Sequence, residues 1–262
     1  TLHPENKDPR HPTYQLHLIN EFINGMSLHK YYDGIAGVNT PDAFHKVLCH
    51  ARDVFGMCEA MEMEGMAHMD IKLDNIMVDR GTGNLVLIDF ALFCVTEAGG
   101  VSCQKVAGGT PGYMAPEAYS RYHKEKGATD AQIYKYKADI WSTSMTFLEI
   151  VTEPRYLERV FRYKNRRQRA MDKLLVDKPQ LKNKPKHLEW EATKTAMLEI
   201  ASQRHIDQLY SYFDNKEGAD DYGLIRVLLD GLTYDADYRP NGTRMIQELE
   251  AVYQLLHEDF GL

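Results

Sequence analysis

His68-Met69-Asp70-Ile71-Lys72-Leu73-Asp74-Asn75 is the stretch on which the reading of this chain turns. Two short apolar runs follow it, Ile76-Met77-Val78 and Leu85-Val86-Leu87-Ile88, joined by Asp79-Arg80-Gly81-Thr82-Gly83-Asn84. Short β-forming runs around a Gly/Asn/Asp turn predict a small hairpin. Asp89-Phe90-Ala91 comes straight after it, so the hairpin brings Asp89 back to about one strand pair from Asn75. A Gly-rich, aperiodic stretch over 91–112 predicts a loop, and Gly109-Thr110-Pro111-Gly112-Tyr113-Met114-Ala115-Pro116-Glu117 closes it. Taken singly these signals are weak. An isolated Asp-x-Lys is most often a solvated surface pair, and an isolated Asp before Phe a cap or a turn.

On the N-terminal side, residues 1–13 are polar with three prolines and predict a loop. Residues 14–23 alternate well enough to predict a strand, closed by Asn24-Gly25. Thr40 is placed to cap a helix that has Pro41 at its first position. Phe44, Val47, Leu48, Ala51, Val54, Phe55, Cys58 and Met61 then recur at three- and four-residue steps as one apolar stripe, ended by Gly65. The methionines over 57–69 are core filler on this reading. On the C-terminal side, residues 138–151 are apolar on most faces, the pattern of a helix buried in a domain centre. Trp190, Met197, Ile200, Leu209, Tyr210 and Phe213 mark further helix, 224–232 another, and Met245, Ile246, Leu249, Val252, Tyr253 and Leu256 a last one after an Asn241 cap.

Two more motifs stand downstream, Asp139-Ile140-Trp141-Ser142 and Asp237-Tyr238-Arg239-Pro240. The five motifs, in this order and spacing over residues 14–256, resemble the eukaryotic protein kinase family. There the first reads His-Arg-Asp with an Asn five residues after the Asp, the second Asp-Phe-Gly, and the third ends Ala-Pro-Glu. Lys72 with Gly-Thr-Pro-Gly-Tyr resembles the Ser/Thr branch. The resemblance implies a mainly α (α+β) kinase-like C-lobe: a helical bundle around a buried central helix, with the β-hairpin at the active site.

It also implies roles. Phosphoryl transfer needs positioning and charge neutralisation more than covalent chemistry. Asp70 would accept the substrate hydroxyl proton, Lys72 would neutralise the moving phosphoryl group, and Thr110 would brace Asp70. Asn75 and Asp89 would hold Mg²⁺ on oxygen. Glu21-Phe22-Ile23 resembles the hinge that bonds the adenine of ATP through Glu21 and Ile23, with Asn20 at the gatekeeper position and Met77 as the adenine floor. Glu117 and Arg239 would form a buried ion pair, Asp139 would hold the catalytic-loop backbone, and His68 and Phe90 would stack in the core. Met69 replaces an Arg that pairs with a phosphorylated loop, which predicts activation without phosphorylation at Thr96 or Ser102. Ala91 replaces a Gly and disfavours left-handed backbone there.

Against the family pattern, no Gly-x-Gly-x-x-Gly occurs, and the strand Lys and helix Glu of the small lobe are not found. The expected organisation is a kinase-like domain over 1–262 lacking most of its N-lobe. Residues 1–30 are a remnant of the family's fourth and fifth strands and hinge, and 31–262 the C-lobe. The chain opens on Thr1, so it is expected to be part of a longer Ser/Thr kinase and inactive alone. The alternative is a kinase-like scaffold or pseudokinase module inside a larger assembly.

The chain has 262 residues, a net charge of −7 and 44% hydrophobic residues, which excludes disordered and low-complexity classes. No apolar run approaches the ~18 residues of a membrane span. Residues 155–187 hold twelve Lys or Arg against three acids, +9 on an otherwise acidic chain. They predict a basic insertion that either is solvated or binds an acidic protein or another anion. Expected partners are therefore a Ser/Thr protein substrate, this anionic partner, and the missing lobe or assembly. Cys49, Cys58, Cys94 and Cys103 form no CxxC pair and predict reduced thiols, hence a cytoplasmic or nuclear setting.

Overall fold

The computed structural model of the chain describes residues 2–5, 13–16, 21–33, 41–95, 109, 110, 112–118, 135–152, 164–192, 195 and 223–260. Asn20, Thr40, Thr96, Ser102, Cys103 and the helix expected over 197–213 lie outside them.

Strand β1 (Leu2–Glu5) pairs antiparallel with β2 (Thr13–Leu16), with Pro4 opposite Tyr14. A loop was expected over 1–13. In a two-stranded ladder both strands are edges, where the missing N–H of Pro4 is tolerated. The strand expected to run to residue 23 does not: residues 21–24 are outside any strand, and β3 (Gly25–Ser27) begins where a turn was expected. Gly25 explains the position. It faces Asp79 across the ladder, and a Cβ on it would lie 2.1 Å from the Val78 carbonyl oxygen.

Helix α1 (Leu28–Asp33) follows, then α2 (Pro41–Met63), the long helix that the apolar stripe predicts. All eight stripe residues are buried, Val47, Ala51, Val54 and Phe55 completely. Full burial of each large member stabilises by about 1.5–3 kcal/mol. The stripe packs on α3 (Lys135–Thr152) and on α6 (Gly242–Phe260), and α3 packs in turn on α5 (Leu224–Gly231). Residues 138–148 of α3 are buried on every face. Its polar side chains are satisfied locally: Ser144 Oγ donates to the Ile140 carbonyl and Thr146 Oγ1 to the Ser142 carbonyl. The α3–α5 contact is close enough to demand Gly231, where a Cβ would lie 1.9 Å from Ser144 Oγ. The Asn241 side chain accepts the Arg244 N–H and caps α6.

Two ladders frame the decisive stretch. β4 (Met66–Ala67) pairs with β7 (Cys94–Val95), and β5 (Ile76–Asp79) pairs with both β3 and β6 (Leu85–Leu87). Residues 68–75 and 88–93 are thus held at both ends. The hairpin turn is built on Asp79, whose Oδ1 accepts the N–H groups of Gly81 and Thr82 and the Thr82 hydroxyl. Those donors hold the Asp79 carboxyl below the usual carboxylate range.

Cys49 and Cys58 are free thiols, but Cys94 is disulfide-bonded. The expectation of four reduced thiols fails at Cys94, because spacing along the chain does not report which sulfurs the fold brings together. The compartment inferred from those thiols loses that support. No described helix is long and apolar enough to cross a membrane.

The described part of the basic strip comprises α4 (Lys164–Asp177), a 3₁₀ turn (Pro179–Asn183) and the start of a helical stretch over 185–192 that runs on past the strip. Lys173, Lys178, Lys182, Lys184 and Lys186 are exposed, yet the strip is not simply solvated. Leu181 and Leu188 are buried, and the Trp190 ring lies tilted against Trp141 of α3, centroids 4.7 Å apart, while its Nε1 donates to the Leu232 carbonyl.

Candidate active site

Asp70 lies at the centre of a dense polar cluster. The Thr110 N–H and hydroxyl both donate to Asp70 Oδ1, at 2.9 and 2.8 Å. Lys72 Nζ and Asn75 Nδ2 donate to Oδ2, at 2.9 and 3.1 Å. Lys72 Nζ also donates to Thr110 Oγ1 at 2.8 Å, closing an Asp70–Thr110–Lys72 ring. A buried carboxylate without such donors would be costly; this one has them on both oxygens. The arrangement joins residues 40 positions apart in the chain.

The backbone under this cluster is strained and held. Met69 has φ 69° and Asp89 φ 62°, the two non-glycine residues with positive φ among the described residues. The buried carboxylate of Asp139, on α3, accepts the N–H groups of His68 at 2.6 Å and Met69 at 2.8 Å. Burial pushes the Asp139 carboxyl up to about 7, against the opposing pull of those two N–H groups. His68 donates from Nε2 to the Ile88 carbonyl and accepts the Asp70 N–H at Nδ1, which fixes the tautomer. Burial holds its imidazole below the usual range, hence neutral. His68 therefore links the Asp70 segment to the residue before Asp89. Its ring meets Phe90 at 4.7 Å, but the rings are tilted by 55° and Phe90 is 44% exposed, so the pair is a tilted contact at the edge of the core and not a stack inside it.

The segment bearing Thr110 is fixed from two sides. Arg239 is fully buried and grips Glu117 through two contacts, at 2.7 and 3.1 Å. It also donates to the carbonyls of Thr233, Lys137 and Tyr234, and its guanidinium lies 5.0 Å from the centre of the Trp141 ring. Ser142 Oγ donates to the Tyr113 carbonyl, and the Tyr113 hydroxyl donates to Glu149 on α3. Burial, reinforced by Glu149, raises the Tyr113 hydroxyl above its usual range. Sequence reasoning missed this Tyr113–Glu149 link. Tyr113 stands inside a quoted motif, but nothing along the chain marks a partner 36 residues away.

The donor set suits a hard cation. Asn75 spends its amide hydrogens on the Asp70 carbonyl and carboxylate, so its buried amide oxygen is left without a hydrogen bond among the described residues. Asp89 is exposed and takes one long bond, 3.4 Å, from the Ala91 N–H. An orphaned amide oxygen and an open carboxylate are ligands of the type Mg²⁺ takes together with phosphate oxygens and water. No group of three His, Cys, Asp or Glu able to hold a metal occurs among the described residues. Met77 is half-buried on β5 between the buried Ile76 and Val78, so it points to the opposite face. Among the described residues neither the Glu21 carbonyl nor the Ile23 N–H makes a backbone hydrogen bond; the Ile23 carbonyl accepts from Gly25.

The family described as "Protein kinase domain" matches residues 7–248. This chain belongs to that family. It is 31% identical over 150 residues to CBL-interacting protein kinase 25 of Oryza sativa subsp. japonica, covering 52% of this kinase chain and 25% of that protein. It is 30% identical over 159 residues to serine/threonine-protein kinase MST20 of Pyricularia oryzae, covering 58% and 16%. The MAP kinase kinase PBS2 of Saccharomyces cerevisiae matches at 27% over 135 residues, 52% and 19%. The kinase chain spans a quarter or less of these relatives' lengths. They place it with the eukaryotic-type Ser/Thr protein kinases.

Proposed function

We propose that this chain carries the phosphoryl-transfer site of a Ser/Thr protein kinase that uses Mg-ATP and a protein hydroxyl as substrates. The observation that carries the reading is the Asp70 carboxylate, held on both oxygens by Thr110, Lys72 and Asn75. In the reaction the substrate oxygen forms a bond to the γ-phosphorus. The bond to the bridging oxygen breaks, ADP leaves with that electron pair, and the hydroxyl proton passes to Asp70. Thr110 and Lys72 keep the carboxylate aimed, and Lys72 places a positive charge where the phosphoryl group moves. Asn75 and Asp89 would hold the metal, which when bound neutralises phosphate charge. The Glu21 carbonyl and Ile23 N–H would bond the adenine edge, with Met77 beneath the ring. Asp139, His68, Phe90, Glu117 and Arg239 position these groups without touching substrate.

On this reading the Gly-rich loop and the strand Lys over the phosphates belong outside these 262 residues, and the 262 residues alone are inactive. A scaffold or pseudokinase module is the second reading. It is favoured by one observation: Phe22 is 86% exposed and Phe90 and Phe93 nearly half exposed, apolar surface that another protein layer would cover. Calorimetry with Mg-ATP separates the two, beside an Asp89→Asn variant. Micromolar heat that the variant loses supports the nucleotide site. No heat from the chain, nor from a longer chain containing the Gly-rich loop, leaves the scaffold.

A further inference from the structure

Cys94 is disulfide-bonded, while Cys49 and Cys58 are free thiols. The chain has four cysteines, so the one sulfur left for Cys94 is that of Cys103. Along the chain Cys94 lies five residues after Asp89, and Cys103 lies seven before Thr110. Cys94 is a fixed point. It pairs with Ala67 in the β4–β7 ladder, directly before His68, and is 6% exposed within the hydrophobic core. Thr110 is the next fixed point downstream among the described residues, through its N–H and its hydroxyl on Asp70.

We propose that Cys94 and Cys103 form a reversible thiol–disulfide site whose redox state sets how tightly Thr110 is held on Asp70. The physical link is chain length. With both thiols reduced, sixteen residues separate Cys94 from Thr110; with the bond closed, only the seven from Cys103 remain free. The chance that the ends of a loop meet falls with about the three-halves power of its length. Closing the bond therefore favours the Thr110–Asp70 contact about threefold. The structure holds bond and contact together. In the reductive step a thiolate of a dithiol attacks one sulfur, and the electron pair of the S–S bond leaves on the other. The second thiol of the dithiol then displaces the first. The protein gains two electrons and two protons, and the dithiol becomes a disulfide. A small-molecule disulfide oxidises the pair by the reverse exchange. Burial shields the Cys94 sulfur and directs the attack to its partner. A change of kinase rate with redox state rests on the phosphoryl-transfer reading of Asp70; the bond and its hold on Thr110 do not.

Two measurements on the full chain test this, and neither reads phosphoryl transfer. The first counts thiols. Denatured in iodoacetamide without reductant, the chain should take two labels, on Cys49 and Cys58, and four after dithiothreitol. A digest made without reductant should contain the Cys94 and Cys103 peptides linked, and the link should return when dithiothreitol is replaced by oxidised glutathione. Four labels without reductant, a link from Cys94 to Cys49 or Cys58, or a link that does not return overturns the proposal. The second follows exchange of the Thr110 N–H into D₂O by NMR. Its rate should rise about threefold on reduction and equally in Cys103→Ser, which spares the buried Cys94. The Met245 N–H, on the Asn241 carbonyl in α6, should keep its rate. An unchanged Thr110 rate overturns the proposal. So does a Met245 rate that rises in step with it, because the bond would then act on the whole fold and not on the Thr110 contact.

Discussion

Replacing Arg239 by Ala removes five hydrogen-bond contacts to four partners and the charge facing Glu117. The Glu117 side chain is 16% exposed, so it cannot recover its solvation by moving into water. Removing one partner of such a pair leaves a buried charge uncompensated, at about 3–5 kcal/mol. The orphaned carbonyls of Thr233, Lys137 and Tyr234 push the cost toward the upper end. A domain of this kind is stable by about 5–15 kcal/mol in total, so the variant loses a third or more of it. Glu117→Ala should cost less, because Arg239 keeps three carbonyl acceptors and the face of Trp141. The double variant should then cost clearly less than the two single changes together, with a coupling of about 2 kcal/mol or more. Urea denaturation followed by circular dichroism measures all four corners of the cycle. A coupling below about 0.5 kcal/mol, the level found for independent sites, would refute the assignment of the pair as what fixes the Thr110 segment.

Three other outcomes follow from particular contacts. Gly231→Ala forces a Cβ against Ser144 Oγ and should destabilise by about 1–3 kcal/mol in urea; Ser144→Ala added to it should restore part of that, and no restoration would place the clash elsewhere. Asp139, whose carboxyl is raised from 3.8 to about 7, keeps a proton in the folded state that the unfolded state has lost between those pH values. Stability from this group is therefore present at low pH and declines as pH rises toward 7, by at most about 1.4 kcal/mol per pH unit. The advantage of wild type over Asp139→Asn in urea should accordingly be larger at pH 5 than at pH 7.5, and a constant gap would show that Asp139 does not titrate in this range. Thr110→Val keeps the N–H on Asp70 but removes the hydroxyl that links Asp70 to Lys72; in the whole kinase it should lower kcat by about tenfold with little change in KM, and an unchanged kcat would remove Thr110 from the site.

Local pattern made the framework legible. The α2 stripe, the buried α3 and the hairpin each announce themselves within a dozen residues or so, because amphipathic period and turn chemistry act over that range. The first strand pair did not. Pro4 argues against a strand only where an N–H must be donated inward, and that depends on whether the strand is an edge. The anchoring of the basic strip was equally hidden. Trp190 carries no signal for Trp141 or for the Leu232 carbonyl, which lie 49 and 42 residues away. The charges in that strip dominate its composition and draw attention away from Leu181 within it and from Leu188 and Trp190 just beyond it, which bind it to the body.

At the site the limits have a different cause. The motifs name Asp70, Lys72, Asn75, Asp89 and Thr110, but the residue types alone do not say that Asp70 takes donors on both oxygens or that Asn75 has an amide oxygen left over. Those facts come from backbone geometry that the residue types disfavour. Met69 and Asp89 adopt positive φ without being glycine, at a cost of order 1–3 kcal/mol each. Met69 flanks Asp70 directly, and its N–H is held by Asp139, a carboxylate buried in α3. Remove that acceptor and the turn has no reason to keep Met69 in a left-handed conformation, so Asp70 would no longer be presented to Thr110 and Lys72. Local preference and observed conformation conflict beside the two carboxylates of the proposed chemistry and, among non-glycine residues described, nowhere else by positive φ. Strain held where a side chain must be aimed is the physical ground for placing the proposed function at Asp70.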